Sequence, residues 1–343
     1  MSEKDTSHIK KISNISEENM NKLLMMKYGR EKVEEYRNNY FKAINFEKTK
    51  FRSPMPTTLT VELVNRCNLN CVMCFTENHK TQKFTVNIEQ FKELIKQAEK
   101  IGIPSILIGS GSEGLIYKEI KSIIKIVNES KIMDFFLITN GTLLTPELSR
   151  YIIENGVTRL LISLDAVTED TFEKIRGKRL LGLIEHNIEN FLKIRKELNK
   201  SFPILRLSFC VQDLNRHEQK GFVKKWKDKV DYLDFQVLSD FSYVGKLLKE
   251  KDSNKSESSD TPFCHYPFSY LSIWSNGDIS PCCVFYGKNI VLGNIKENTL
   301  EEVWKGKKLK ALQNEFIEGK VNRTCELCMK KRENLISDGL KSF

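Results

Sequence analysis

Three cysteines stand within eight residues, in Cys67-Asn68-Leu69-Asn70-Cys71-Val72-Met73-Cys74, and no other feature constrains the chain as tightly. The run follows an apolar stretch at 59–64 that reads as a β-strand. The thiols therefore fall at a strand's C-terminal end, where α/β proteins collect their sites. Three thiolates so close together can each hold one iron of a cubane. A [4Fe–4S] cluster normally takes four Cys, so three leave one iron open, and an open metal position is where chemistry happens. The rival reading is a zinc site. Zinc loops bring paired Cys or His at C-x2-4-C spacing, which this run fits poorly, although His79 stands near it.

The chain has nine cysteines in all. Residues 1–11 are polar and lack the apolar core of a secretory signal. No run of 18 uncharged apolar residues occurs, so no transmembrane helix is expected. A cytoplasmic chain is then expected, in which nine cysteines are not a disulfide set. With 343 residues the chain is long enough for about two domains and can bury a core without staples.

Four regions and a tail follow from the hydrophobic pattern. Residues 1–52 are polar and helical in character, with no strand signal; Ser16, Glu17 and Glu18 look like a helix start. Leu23, Leu24, Val33, Tyr36 and Tyr40 offer an apolar stripe. Residues 53–245 alternate strand and helix signals. Apolar runs at 59–64, 105–108, 135–139, 159–164, 204–211 and 232–238 are separated by amphipathic stretches such as 89–101 and 183–198. Six βα units predict a parallel sheet, and six are fewer than the eight that close a TIM barrel. The expected fold is α/β: a partial (β/α)6 TIM-like barrel followed by a small Cys-rich domain. Residues 246–261 read as a polar linker, and 262–332 hold five cysteines. There Asn276-Gly277, between Ile273 and Ile279, signals a hairpin, and 299–316 reads as one helix. Residues 333–343 read as a tail.

The net charge of +10 comes from 55 basic and 45 acidic residues, interspersed as in Lys224-Lys225-Trp226-Lys227-Asp228-Lys229. Most of the basic residues are Lys, a solvated point charge rather than the planar fork of Arg. No clustered basic patch stands out, so no nucleic-acid partner is expected.

The segment from Val64 to Cys74 resembles the signature loop of the radical S-adenosylmethionine (SAM) superfamily, and further landmarks follow in order across about residues 55–240. Gly109-Ser110-Gly111-Ser112-Glu113 resembles the family's Gly-Gly-Glu segment. Ile138-Thr139-Asn140-Gly141 resembles its Thr-Asn-Gly strand end, and Ile162-Ser163-Leu164-Asp165-Ala166 with Arg176-Gly177 its fourth-strand motif. Asn215 is also family-like. The resemblance implies that Cys67, Cys71 and Cys74 hold a [4Fe–4S] cluster whose open iron binds SAM. It assigns Met73, Gly111, Glu113, Asn140, Ser163 and Asp165 to SAM. Two residues depart from the family pattern: Met73 replaces an aromatic residue, though its sulfur can still pack on adenine, and Gly114 replaces a proline.

Strand alternation places Arg206, Ser208, Cys210 and Gln212 on one face of 204–211 and Leu207, Phe209 and Val211 on the other. Thr60 pairs with Glu62, and Ser163 with Asp165, in the same way. A polar lumen suits a substrate cavity, and a polar edge strand is the rival reading of 206–212. Arg206 is thus a candidate substrate contact, and Cys210 a buried thiol or a hydrogen-atom donor.

Cys264 and Cys282, separated by 17 residues, and the pair Cys325/Cys328 supply four more thiols. By spacing alone, a filled [4Fe–4S] cluster and structural zinc serve them equally. The arrangement resembles the shortened SPASM region, or twitch domain, that follows the barrel in some radical SAM enzymes, and this implies a second, auxiliary [4Fe–4S] cluster. Four residues separate Gly277 from Cys282, as in that region, which singles out Cys282 over its neighbour Cys283.

The resemblance implies reductive cleavage of SAM to a 5′-deoxyadenosyl radical that takes a hydrogen atom from substrate. The auxiliary cluster would accept an electron, making the enzyme an oxidoreductase for a carbohydrate-like or other small molecule. A flavodoxin- or ferredoxin-like protein would supply the reducing electron. Two other readings stand beside this one. A peptide-modifying maturase is expected to carry an N-terminal leader-binding domain, for which residues 1–52 are short. A non-catalytic iron–sulfur carrier gains nothing from an open iron.

Overall fold

The computed structural model describes residues 9–13, 17–74, 82–238, 263–283 and 289–329. The expected linker at 246–261, the tail at 333–343, His79 and Ser16 lie outside the described residues.

Six parallel strands form the body: β2 (Thr58–Val61), β3 (Ser105–Ile108), β4 (Asp134–Thr139), β5 (Arg159–Ser163), β6 (Ile204–Val211) and β7 (Tyr232–Val237), side by side in chain order. Their burial explains why they read as apolar runs. Leu205, Leu207, Phe209 and Val211 of β6 pack into one core with Leu160, Ile162, Phe135 and Leu137 of the neighbouring strands. Amphipathic helices cover that side. Ile88–Ile101 inserts Phe91, Leu94, Ile95 and Ala98, and Leu181–Glu197 inserts Ile184, Ile188 and Phe191. Asn87 starts the first of these helices with a capping box closed by Gln90, and Gly102 ends it in the left-handed region. Mixed α/β architecture with a parallel sheet is the expected one.

The N-terminal segment departs from expectation. It is helical at Glu17–Tyr28 and Arg30–Ile44, but Ile9–Ser13 forms a strand, β1, antiparallel to β7. The Ile-Lys-Lys-Ile pattern lacks the two-residue period that marks a strand, and its partner is more than 200 residues away. The Arg30–Ile44 helix also closes the floor of the barrel. Tyr36 donates to Asp134 at 3.0 Å, and Arg37 stands 3.5 Å from the same carboxylate. Asp134 is held further by Thr158 and by both arms of Arg159. These cations keep its pKa below the ordinary value although burial pushes the other way.

At the opposite edge the Cys-rich region extends the same sheet. Strand β8 (Tyr270–Ile273) runs parallel to β2, and Asp278–Ser280 (β9) folds back on it as the expected Asn276-Gly277 hairpin. Gly277 takes φ 94°, a region that favours glycine. Thr60 and Ser272 hydrogen-bond across the seam, and Trp304 Nε1 donates to the Ser53 carbonyl. The helix expected over 299–316 is two, Leu300–Trp304 and Lys307–Ile317. Gly306 between them is extended (ψ 157°) and acts as the N-cap of the second.

Candidate functional site

The three-cysteine loop leaves β2 and is fastened on two sides by backbone bonds. Asn70 N and Val72 N donate to the carbonyls of Arg176 and Ile175, at the end of the helix Glu169–Arg176. That helix stops because Gly177 turns left-handed, φ 75°. A Cβ there would stand 2.9 Å from the Asn70 carbonyl oxygen. On the other side Glu113 N donates to the Arg66 carbonyl, joining the cysteine loop to the 109–113 loop. Gly109 in that loop has φ 97°, and a Cβ on it would collide with the Ile138 carbonyl at 2.1 Å.

The sulfurs meet specific donors. Leu69 N lies 3.4 Å from Cys67 Sγ and Asn140 Nδ2 3.6 Å. Arg176 Nη1 lies 3.4 Å from Cys71 Sγ. Burial raises the thiol pKa of Cys67 and Cys71 above the ordinary value. Their protons therefore leave when a metal binds, as thiolate ligation requires.

Glu113 is buried and accepts from Leu115 N at 3.0 Å, Thr139 Oγ1 at 2.8 Å and Asn140 N at 2.6 Å. Burial raises its pKa against these donors. The two family-like segments thus meet through this carboxylate. Asn140 reaches on to Asn68 Oδ1 at 2.8 Å, and Asn68 to Thr142 Oγ1 at 2.8 Å. Sequence reasoning passed over Asn68 and Thr142; their places beside Cys67 and Asn140 were the available signal. Gly111 takes φ 86°. Ser112 Oγ in the same loop is buried with no hydrogen-bond partner among the described residues.

Asp165 follows β5 and is held left-handed, φ 63°. Its carboxylate pairs with Arg176 and accepts from Cys210 N at 2.7 Å, while Asn215 Nδ2 donates to its carbonyl at 2.9 Å. Ser163, at the end of β5, stands in register with Ser208. Met73 Sδ lies 3.8 Å from Gln212 Nε2, at the top of β6. Arg206 lies lower, pairs with Asp234 at 2.6 Å and stacks near the rings of Phe136 and Tyr232. Alternation gave its face; its height on the strand puts it beside this buried partner.

In the Cys-rich region burial pushes the thiol pKa values of Cys264 and Cys325 up to about 12, with Cys328 an added influence on both and Cys283 on Cys264. Asn322 supports Cys325 through its backbone N and its sulfur. Cys283 lines a narrow cavity, with no room for a water molecule, together with Thr60, Glu62, Ser110, Ser272 and Trp274. Glu62 there accepts from Ser275 N at 3.1 Å and Ser275 Oγ at 2.6 Å. The cavity thus touches both the 109–113 loop and the Cys-rich hairpin.

The donor set suits the clusters. Three soft thiolates on one loop, with donors already aimed at two of the sulfurs, match an iron–sulfur cluster better than a hard-cation site. The orphaned Ser112 hydroxyl, in the loop that Glu113 N joins to the cysteine loop, suits a polar ligand.

Comparison with known proteins agrees. Residues 61–224 match the radical SAM superfamily model, and residues 264–329 match the SPASM iron–sulfur cluster-binding domain. A GTP 3′,8-cyclase of Clostridium perfringens is 30% identical over 204 residues, 58% of this chain and 59% of that protein. The antilisterial bacteriocin subtilosin biosynthesis protein AlbA of Bacillus subtilis is 24% identical over 311 residues, 81% of this chain and 65% of that protein. The chain spans about half the length of most of the curated relatives it matches. The crystal structure of BtrN in complex with AdoMet and 2-DOIA superposes with a TM-score of 0.51 at 15% identity, covering 82% of this chain and 98% of that one. Such domains carry a [4Fe–4S] cluster that binds SAM and an auxiliary cluster. The chain carries a radical SAM domain followed by a C-terminal SPASM domain.

Proposed function

We propose that the protein is a radical SAM oxidoreductase that removes one hydrogen atom, one proton and one electron from a small, carbohydrate-like substrate. When bound, SAM and the first cluster supply a 5′-deoxyadenosyl radical. Cys67, Cys71 and Cys74 would hold that cluster, and Cys264, Cys282, Cys325 and Cys328 the auxiliary one.

In this reading Glu113 fastens the loop after β3 to the end of β4 through Leu115 N, Thr139 and Asn140. Gly111, Ser112, Asn140 and Ser163, with Met73, would then be left to hold the cofactor. Asp165 orders Cys210 and Arg176 on one side of it. Fixed positions matter because the radical must meet one hydrogen only. Arg206, already paired with Asp234, would meet a substrate only at the bottom of the lumen, and Cys210 stands nearer the cofactor end.

The observation that carries the reading is the seam cavity. Ser110 of the cofactor loop and Cys283, next to the auxiliary ligand Cys282, line the same space. The seam has no room for substrate itself, but the contact of Ser110 with Cys283 would give an electron a short way from the cofactor loop to the auxiliary site. A second reading, peptide modification, is favoured by the AlbA match, which runs across both domains.

The test is anaerobic incubation with SAM, a low-potential reductant and deuterated candidates: polyols and aminosugars in one arm, short peptides in the other. Deuterium in 5′-deoxyadenosine with a product two electrons more oxidised supports the proposal. A redox-neutral isomer overturns it. Turnover confined to the peptide arm moves the substrate to the second reading.

A further inference from the structure

Arg176 touches a sulfur of the first cysteine loop with its guanidinium. It is 8% exposed, and its place is fixed from several sides. Its carbonyl and that of Ile175 grip Asn70 and Val72, its Nη1 meets Cys71 Sγ at 3.4 Å, and its other arm pairs with Asp165. Asp165 is pinned by Cys210 N and Asn215, and Asn215 is pinned by Gln212 N at 2.8 Å. Burial works against the charge, but Asp165 and Cys71 outweigh it and hold the arginine protonated.

We infer that Arg176 is a positioning residue that sets the reduction potential of the cluster held by Cys67, Cys71 and Cys74. A cluster on three thiolates becomes more negative when it takes an electron. A cation that hydrogen-bonds a ligand sulfur in a low-dielectric site stabilises the reduced form more than the oxidised one. Asp165 takes the other terminal nitrogen of the guanidinium, which leaves Nη1 to the sulfur. The carboxylate keeps a buried arginine tolerable and trims its effect. The Asn140 donor on Cys67 is neutral and correspondingly weaker.

The inference rests on Cys71 as an iron ligand, and it is independent of the oxidative outcome proposed above. Iron analysis of Cys71→Ala checks the ligand alone: undiminished iron would remove the premise. The inference itself is read by EPR redox titration of the anaerobically purified full chain without SAM or substrate, the auxiliary signal serving as internal reference. Arg176→Gln is expected to lower the first cluster's potential so that the reduced fraction at a fixed poise falls about tenfold, 59 mV for a one-electron couple. Arg176→Lys keeps the charge and should fall between. Asp165→Asn frees the arginine's charge and should shift the potential upward, a direction that general loosening of the site does not produce. An unchanged potential in Arg176→Gln with full iron content overturns the inference. So does an unchanged or lowered potential in Asp165→Asn, which decides the matter if Arg176→Gln fails to load iron.

Discussion

The two cysteine sets are built in opposite ways. The first lies within eight residues, and its shape comes from one loop stapled to the Glu169–Arg176 helix and the 109–113 loop. The second draws on residues 264–328, from three separate stretches whose relative places depend on the β8–β9 hairpin, on β2 and on the helices after Gly306. A local site is specified by spacing and close backbone approach. A dispersed site is specified by packing. The first set also faces the loops that suit SAM, whereas the second is supported mainly by its own domain. In the proposed reading the difference would separate a site built for chemistry, with one iron left open, from one filled by protein and suited to electron transfer.

Substitutions should break this contrast in order of size. Cys71→Ala is expected to abolish 5′-deoxyadenosine formation and lower iron from about eight to about four per chain, with the auxiliary signal intact. If both signals vanish, the sites are not independent. Cys325→Ala should also remove about four irons but leave SAM cleavage in place while the oxidised product is lost. Loss of 5′-deoxyadenosine in that variant would assign the auxiliary site to SAM cleavage itself.

The adjacent pair sharpens the dispersed site. Cys282→Ser should lose the auxiliary iron and Cys283→Ser should keep it, read by iron content and EPR. The reverse result would hand the ligand role to Cys283, which electrostatically neighbours Cys264 and faces the seam cavity. The smallest effect tests the local site. Gly177→Ala strains a residue at φ 75° and forces the new Cβ onto the Asn70 carbonyl. It should cost about 1–2 kcal/mol, measured by denaturant unfolding, and reduce iron loading at the first site alone.

The barrel was the most legible part of the sequence. The runs at 105–108 and 204–211 coincide with β3 and β6, because strands buried against helices read as continuous or alternating apolar stretches. The family-like segments were legible too, and their convergence follows from one carboxylate, Glu113 in the loop after β3, touching the end of β4. Three features were hidden for physical reasons. Strand β1 lacks alternation and pairs with a strand from the far side of the barrel. The 299–316 helix breaks because Gly306 is extended, and a Cβ there would stand 2.8 Å from the Glu302 carbonyl, while the flanking pattern stays helical. The Arg206–Asp234 pair and the Glu62–Ser275 contact join residues whose faces are readable but whose partners are set by register and by the docking of the second domain.

The most direct measurement combines metal analysis with reductive SAM cleavage on the anaerobically purified full chain. The account predicts about eight irons, no stoichiometric zinc and formation of 5′-deoxyadenosine and methionine when dithionite and SAM are added. About four irons with one zinc, or fully loaded protein that leaves SAM intact, would contradict it.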